Sequence, residues 1–245
     1  MKRKTDNFST ARFDAEVAYR LDLDSLVRCP RYNARMGTCL WGRMRALPLL
    51  VATLLSLVCA QDNSTVSVSQ KTFLTRLVAA AIERTHYSVR YVSEYVSIPY
   101  PGGDVPPETG TCADEIIRIY RAVGVDLQKE VHEDMAKDFA AYPGKWGLSR
   151  TDKNIDHRRV PNLMVFFQRK GEVLPKTTNP HDYSPGDLVT WNLGVDIPHI
   201  GMVVSEKNSS TGRYLIVHNI GQGPKMEDVL FDWKITGHYR YYGPG

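Results

Sequence analysis

Between residues 71 and 84 the apolar positions Phe73, Leu74, Leu77, Val78, Ala81 and Ile82 fall three and four apart, which predicts an amphipathic helix. Residues 87–100, rich in Tyr, Val and Ser, fit either an extension of that helix or a strand. The Pro- and Gly-rich stretch 101–107 is a loop by composition. A second helix is predicted to open at Thr111, whose hydroxyl suits an N-cap, with Asp114 in the capping-box position and Glu115 adding charge to the first turn. Ile116, Ile117, Tyr120 and Val123 form its apolar face, and Gly124 closes it. Residues 131–139 and 162–170 read as two further short helices. From Pro185 the period changes to that of strands, at 187–191, 199–205 and 214–218, with 208–212 as a hairpin-like loop. Helices followed by an antiparallel meander predict an α+β domain.

Ahead of this domain, residues 46–60 (ALPLLVATLLSLVCA) are apolar, follow Arg43 and Arg45, and close on Val58-Cys59-Ala60. That is the layout of a signal peptide, too short and wrongly flanked for a membrane span. Five acidic residues before Met36 are foreign to such a signal, which points to a true start at Met36 or Met44. Residues 1–60 are therefore expected to be leader, 61–70 a polar linker, and 71–245 one exported domain, periplasmic or extracellular. Anchoring through residues 46–60, or through a lipidated Cys59, is the alternative. The net charge of +4 belongs to the leader. Of 31 basic and 27 acidic groups, 10 and 5 lie in residues 1–60, leaving 21 and 22 beyond. That balance gives nucleic-acid binding no electrostatic support, and no membrane insertion of the mature domain is expected.

Removal of the leader takes Cys29, Cys39 and Cys59 with it, so Cys112 is left alone. A lone thiol in an exported domain is inert, an intermolecular link or a nucleophile. Its place just after the predicted N-cap favours the nucleophile, because the unpaired N–H groups and dipole of a helix start stabilise a thiolate. His199 opens one predicted strand and His218 closes the next, so antiparallel pairing sets two imidazoles side by side, one as base and the other as its orienter. Asn219 is the alternative orienter; successive strand residues face opposite sides, so only one of the two serves. Asp114 reads as a cap, not a catalytic acid. His86, His132, His181 and His238 lack metal-ligand spacing, and neither a glycine-rich phosphate loop nor a Gly-x-Ser-x-Gly elbow is present, so no metal or cofactor is expected.

Gly110-Thr111-Cys112-Ala113-Asp114, Pro198-His199-Ile200-Gly201-Met202 and Ile216-Val217-His218-Asn219 resemble the Cys, His, polar-residue order of the NlpC-type papain-like cell-wall peptidases. In that superfamily the cysteine opens a helix packed on an antiparallel sheet. Tyr100-Pro101-Gly102-Gly103 resembles the tyrosine and glycine pair preceding the cysteine there, which implies an oxyanion-side role for Tyr100. Over longer strings (Val131-His132-Glu133-Asp134-Met135, residues 154–162, Gly237-His238-Tyr239-Arg240) the chain resembles the bacterial domain-of-unknown-function family 1287. The resemblance to the peptidases implies a cysteine hydrolase cutting amide bonds of peptidoglycan stem peptides or another small amide substrate. An acyltransferase or thioester hydrolase with the same triad, or a binding module that does not cleave, are the alternatives. Cys112 and His199 are 87 residues apart, wider than a minimal NlpC-type domain needs. The surplus, residues 129–182, reads as an insertion shaping the substrate cleft through Asp156, His157, Arg158 and Arg159, with Arg158 or Arg159 gripping a substrate carboxylate.

Overall fold

The computed structural model describes residues 67–244. The expected leader, its export segment, Cys59 and most of the linker lie outside them. Among the described residues no helix is long and apolar enough to cross a membrane.

Helix α1 (Val68–Arg84) starts three residues before the periodicity announced it, because Ser67 and Gln70 form a reciprocal cap with bonds of 2.9 and 3.1 Å. Strands β1 (Arg90–Tyr91) and β2 (Thr109–Gly110) pair in parallel over two residues each. Helix α2 (Cys112–Ala122) follows directly. Helix α3 (Leu127–Lys137) begins earlier than its apolar pattern suggests, since the Asp126 carboxylate accepts from the N–H groups of Gln128 and Lys129. Helix α4 (Val160–Lys170) closes the helical half.

The sheet contains β3 (Glu172–Val173), β4 (Leu188–Asn192), β5 (Pro198–Lys207), β6 (Tyr214–Asn219), β7 (Pro224–Glu227) and β8 (Lys234–Arg240). Its order is β3-β8-β4-β5-β6-β7, antiparallel throughout. The α+β class holds, but β8 returns to lie between β3 and β4, so the sheet is not a simple meander.

Strand alternation splits the apolar side chains into two layers. Leu188, Ile200, Met202, Val204 and Val217 face the helices, packing with Leu77, Ile116, Tyr120, Leu163 and Phe167. Val189, Trp191, Val203 and Ile216 face the other way, against Tyr183 and Leu230. Each such side chain contributes about 1.5–3 kcal/mol of burial free energy. Leu163, Phe166 and Phe167 come from within residues 129–182 and are fully buried, so that segment completes the main core instead of decorating it. The Gly237-His238-Tyr239-Arg240 string is a staple of the sheet. His238 bonds Asp187 at 2.9 Å and the Pro175 carbonyl at 2.8 Å, while Arg240 donates to the other Asp187 oxygen at 2.7 Å.

Candidate active site

The start of α2 is fixed from three sides. Asp114 accepts from the Thr111 N–H at 2.7 Å, one half of a capping box, and also from the Thr111 hydroxyl at 3.0 Å. Arg158 then grips the same carboxylate with Nε at 2.7 Å and Nη2 at 3.2 Å, both side chains being buried. Its remaining arm donates to the Glu94 carbonyl at 3.0 Å. Glu94 belongs to an extended strap, residues 92–99, that is mostly exposed. Besides Arg158, the strap is tethered where Asn154 donates to the Tyr95 hydroxyl at 2.7 Å, Tyr95 to Asp152 at 3.1 Å, and the Ile98 N–H to Asn154 at 3.0 Å.

Cys112 is the free cysteine of this region and is buried. The Tyr91 hydroxyl lies 4.0 Å from its sulfur, and the backbone N–H groups of Ile200 and Ala113 favour its charged form. On β5, the residue before Ile200 is His199. Its Nε2 lies 2.9 Å from Nδ1 of His218 on β6, and His218 Nε2 lies 3.0 Å from a carboxylate oxygen of Glu227 on β7. Gly201 makes the pairing possible. It stands opposite His218, where a Cβ would come within 2.7 Å of Ile216 and 3.1 Å of the His218 Cβ. Trp191 and Trp233 wall the two imidazoles, with ring centroids 5.9 to 6.2 Å away.

The hydrogen-bond chain dictates the tautomers. Glu227 only accepts, so His218 carries its proton on Nε2 and offers Nδ1 as acceptor. His199 must then donate from Nε2, which leaves the lone pair on its Nδ1, a ring nitrogen that makes no hydrogen bond. Both imidazoles are neutral. Burial lowers His199 to about 3, assisted by His218. Burial also lowers His218, against the opposing pull of Glu227. The thiol does not behave as its helix position implied. Burial pushes Cys112 up to about 11, outweighing the N–H groups of Ile200 and Ala113 and the Tyr91 hydroxyl. The expected stabilised thiolate is replaced by a neutral thiol, 3 % exposed, buried with the helices on one side of the sheet, while His199 and His218, 2 % and 1 % exposed, lie on the other side with Trp191 and Ile216.

The remaining sequence candidates separate. Asn219 faces elsewhere, accepting from the Gly221 N–H at 3.1 Å, while its own amide nitrogen is buried without a partner. Tyr100 packs edge-on against His132 at 5.0 Å, because the Pro101-Gly102-Gly103 turn is bonded to Asp126 and Gln128 of α3 and its cap. The tyrosine on the thiol is Tyr91. Asp156 and His157 are buried inside the protein, where burial raises Asp156 to about 6 and lowers His157 to about 3. Neither is presented to a substrate. Arg158 is committed to Asp114. Arg159 alone of the four keeps its guanidinium free of hydrogen bonds, lying 4.0 Å over the exposed Trp146 ring. Tyr91 and Glu227 escaped the sequence reading because each sits on a strand too short to alternate; the acceptor of a buried His218 was the only question that led toward Glu227.

Residues 78–241 match the family described as Domain of unknown function (DUF1287). A protein of Escherichia coli (strain K12) named Uncharacterized protein YijF is 55% identical over 152 residues, covering 62% of this chain and 74% of that one. The match takes in Cys112, both histidines, Glu227 and the staple strand β8, and the chain belongs to the DUF1287 family.

Proposed function

We propose that this chain is a cysteine hydrolase of papain-like, NlpC-type architecture that cleaves amide bonds, with peptidoglycan stem peptides as substrate. One observation supports the reading: the hydrogen-bonded series Glu227–His218–His199 leaves a lone pair on His199 Nδ1 near the end of the strand whose Ile200 backbone meets Cys112, and proton transfer requires the His199 side chain to swing across that strand end to the sulfur. This is a base whose orienter has its own orienter.

In the proposed reaction His199 Nδ1 takes the thiol proton as the sulfur attacks the carbonyl carbon, forming the S–C bond. The Cys112 N–H, an unpaired donor of the first helical turn, faces the developing oxyanion. Tyr91, in contact with the sulfur, is the candidate second donor. Collapse breaks the C–N bond, and His199 returns its proton to the leaving amine. Water then attacks the thioester, giving one proton to His199 and releasing the acid and the thiol. A His218 hydrogen bond strengthened by Glu227 stabilises the imidazolium that forms between these steps.

A second reading, a module that binds cell-wall peptides without cutting them, draws on the closed state of the thiol. Mass spectrometry of purified muropeptides incubated with the chain and with its Cys112→Ala variant separates the two. Cleavage by the parent alone supports the hydrolase. Binding without cleavage by either overturns it in favour of the module.

A further inference from the structure

At Thr111, the residue before the cysteine, lies a cavity of about 350 Å³ lined also by Ser93, Tyr95, Ile155, Arg158 and Arg159. Thr111 precedes Cys112 in the chain, so whatever occupies this cavity lies within a residue or two of a carbonyl presented to the sulfur, at about 3.3 Å per extended residue. The polar groups of its walls are nearly all engaged. Arg158 is held by Asp114, the Tyr95 hydroxyl by Asp152 and Asn154, and Thr111 by Asp114.

Arg159 is the exception. Its side chain is 17% exposed, its nearest carboxylate oxygen is Asp156 Oδ1 at 4.0 Å, and its Nη1 is buried with no hydrogen-bond partner. Asp152 also contributes a favourable charge, without a bond. The Trp146 ring beneath it fixes the guanidinium plane, so the fork is oriented before anything binds. A planar fork with unfilled donors at the wall of a cavity is suited to a carboxylate, which it grips through two parallel bonds.

We infer that Arg159, backed by Trp146, is the specificity subsite of the proposed hydrolase and selects peptides carrying a free carboxylate next to the scissile amide. The inference rests on the hydrolase reading for the identity of the scissile bond, but not for the binding itself. A substrate acid docks in the cavity between strap and helix on the unburied donors Nε and Nη2 of Arg159, while Nη1 stays over Asp156, and directs the adjoining amide toward Cys112.

The test is equilibrium binding of muropeptides to the chain carrying Cys112→Ala, with the muropeptides used as isolated and after their carboxylates are converted to amides. The expected result is at least tenfold tighter binding of the acidic set, a preference that Arg159→Gln abolishes and Arg159→Lys keeps only in part, because an ammonium lacks the fork. Equal binding of the two sets, binding of neither, or a preference that survives Arg159→Gln overturns the subsite. The two proposals fail separately. Acid-selective binding through Arg159 with no cleavage by the parent keeps the subsite and removes the hydrolase; cleavage indifferent to amidation does the reverse.

Discussion

Arg158→Ala tests whether this arginine is a structural clasp. Arg158 is 8% exposed and Asp114 1% exposed, and they meet through bonds of 2.7 and 3.2 Å. Truncation leaves a buried carboxylate whose remaining donors are the Thr111 N–H and hydroxyl. Removing one partner of a buried pair costs about 3–5 kcal/mol. Because Thr111 still neutralises part of the acceptor demand, the lower end, about 3 kcal/mol, is expected. In a domain of this size that lowers the melting midpoint by about 6–12 °C. Urea denaturation followed by far-ultraviolet circular dichroism reads the change, with Arg159→Ala as comparison, expected to stay within about 1 kcal/mol of the parent. Asp114→Ala/Arg158→Ala removes both charges together, so its loss should fall short of the sum of the single losses by about 1–3 kcal/mol. An Arg158→Ala loss under about 1 kcal/mol, or strict additivity in the cycle, refutes the clasp.

Iodoacetamide labelling of the Cys112 peptide should track an ionisation near 11 and accelerate on unfolding; an apparent value at or below about 8.5 contradicts the sealed, neutral thiol. Acid should destabilise the fold. His157 and His199 titrate at about 3 when folded but near 6.5 when unfolded, so the unfolded chain binds more protons between those values and stability falls as pH drops through that window. Asp156, raised to about 6, acts oppositely below that pH, as do Glu115 and Glu130, which burial also raises; His218, Asp134 and Asp228, all lowered, add to the loss. A urea midpoint as high at pH 4.5 as at pH 7 would sink this account. Gly201→Ala should cost about 1–3 kcal/mol by overpacking and displace His218, seen as reduced cleavage together with a lower melting point. Glu227→Gln should lower kcat by less than His218→Ala, whose loss is about a hundredfold or more, and an unchanged kcat in both variants excludes the relay.

Where local chemistry and tertiary structure agreed, the sequence was legible. Thr111, Asp114 and the apolar spacing to Val123 were sufficient to place α2, and the β-rich run opened by His199 and the one closed by His218 were sufficient to pair the imidazoles. Strands β7 and β8 were not legible, the first being four residues of mixed polarity and the second interrupted by Gly237. With β7 unseen, Glu227 had no reason to stand out. Tyr100 drew attention through its turn motif, yet that turn answers to α3, and only a two-residue strand brings Tyr91 to the sulfur. Sequence also says nothing about burial at single atoms, which is what raises Cys112 instead of lowering it.

The clasp on Asp114 also sets the scale for freeing the strap. Arg158 spends two bonds on the helix and one on the Glu94 carbonyl, so lifting the strap costs it a single bond and leaves the nucleophile's helix anchored. The strap is further held by the bonds of Tyr95, Asp152, Asn154 and Ile98 and, at its two ends, by the Val92 N–H to the Gly110 carbonyl and by Gln128 to the Pro99 carbonyl. At about 0.5–1.5 kcal/mol apiece their loss is a small fraction of a domain's total stability. Lifting the strap is thus a sub-global opening, one in which the strap's amides exchange with solvent long before those of α2.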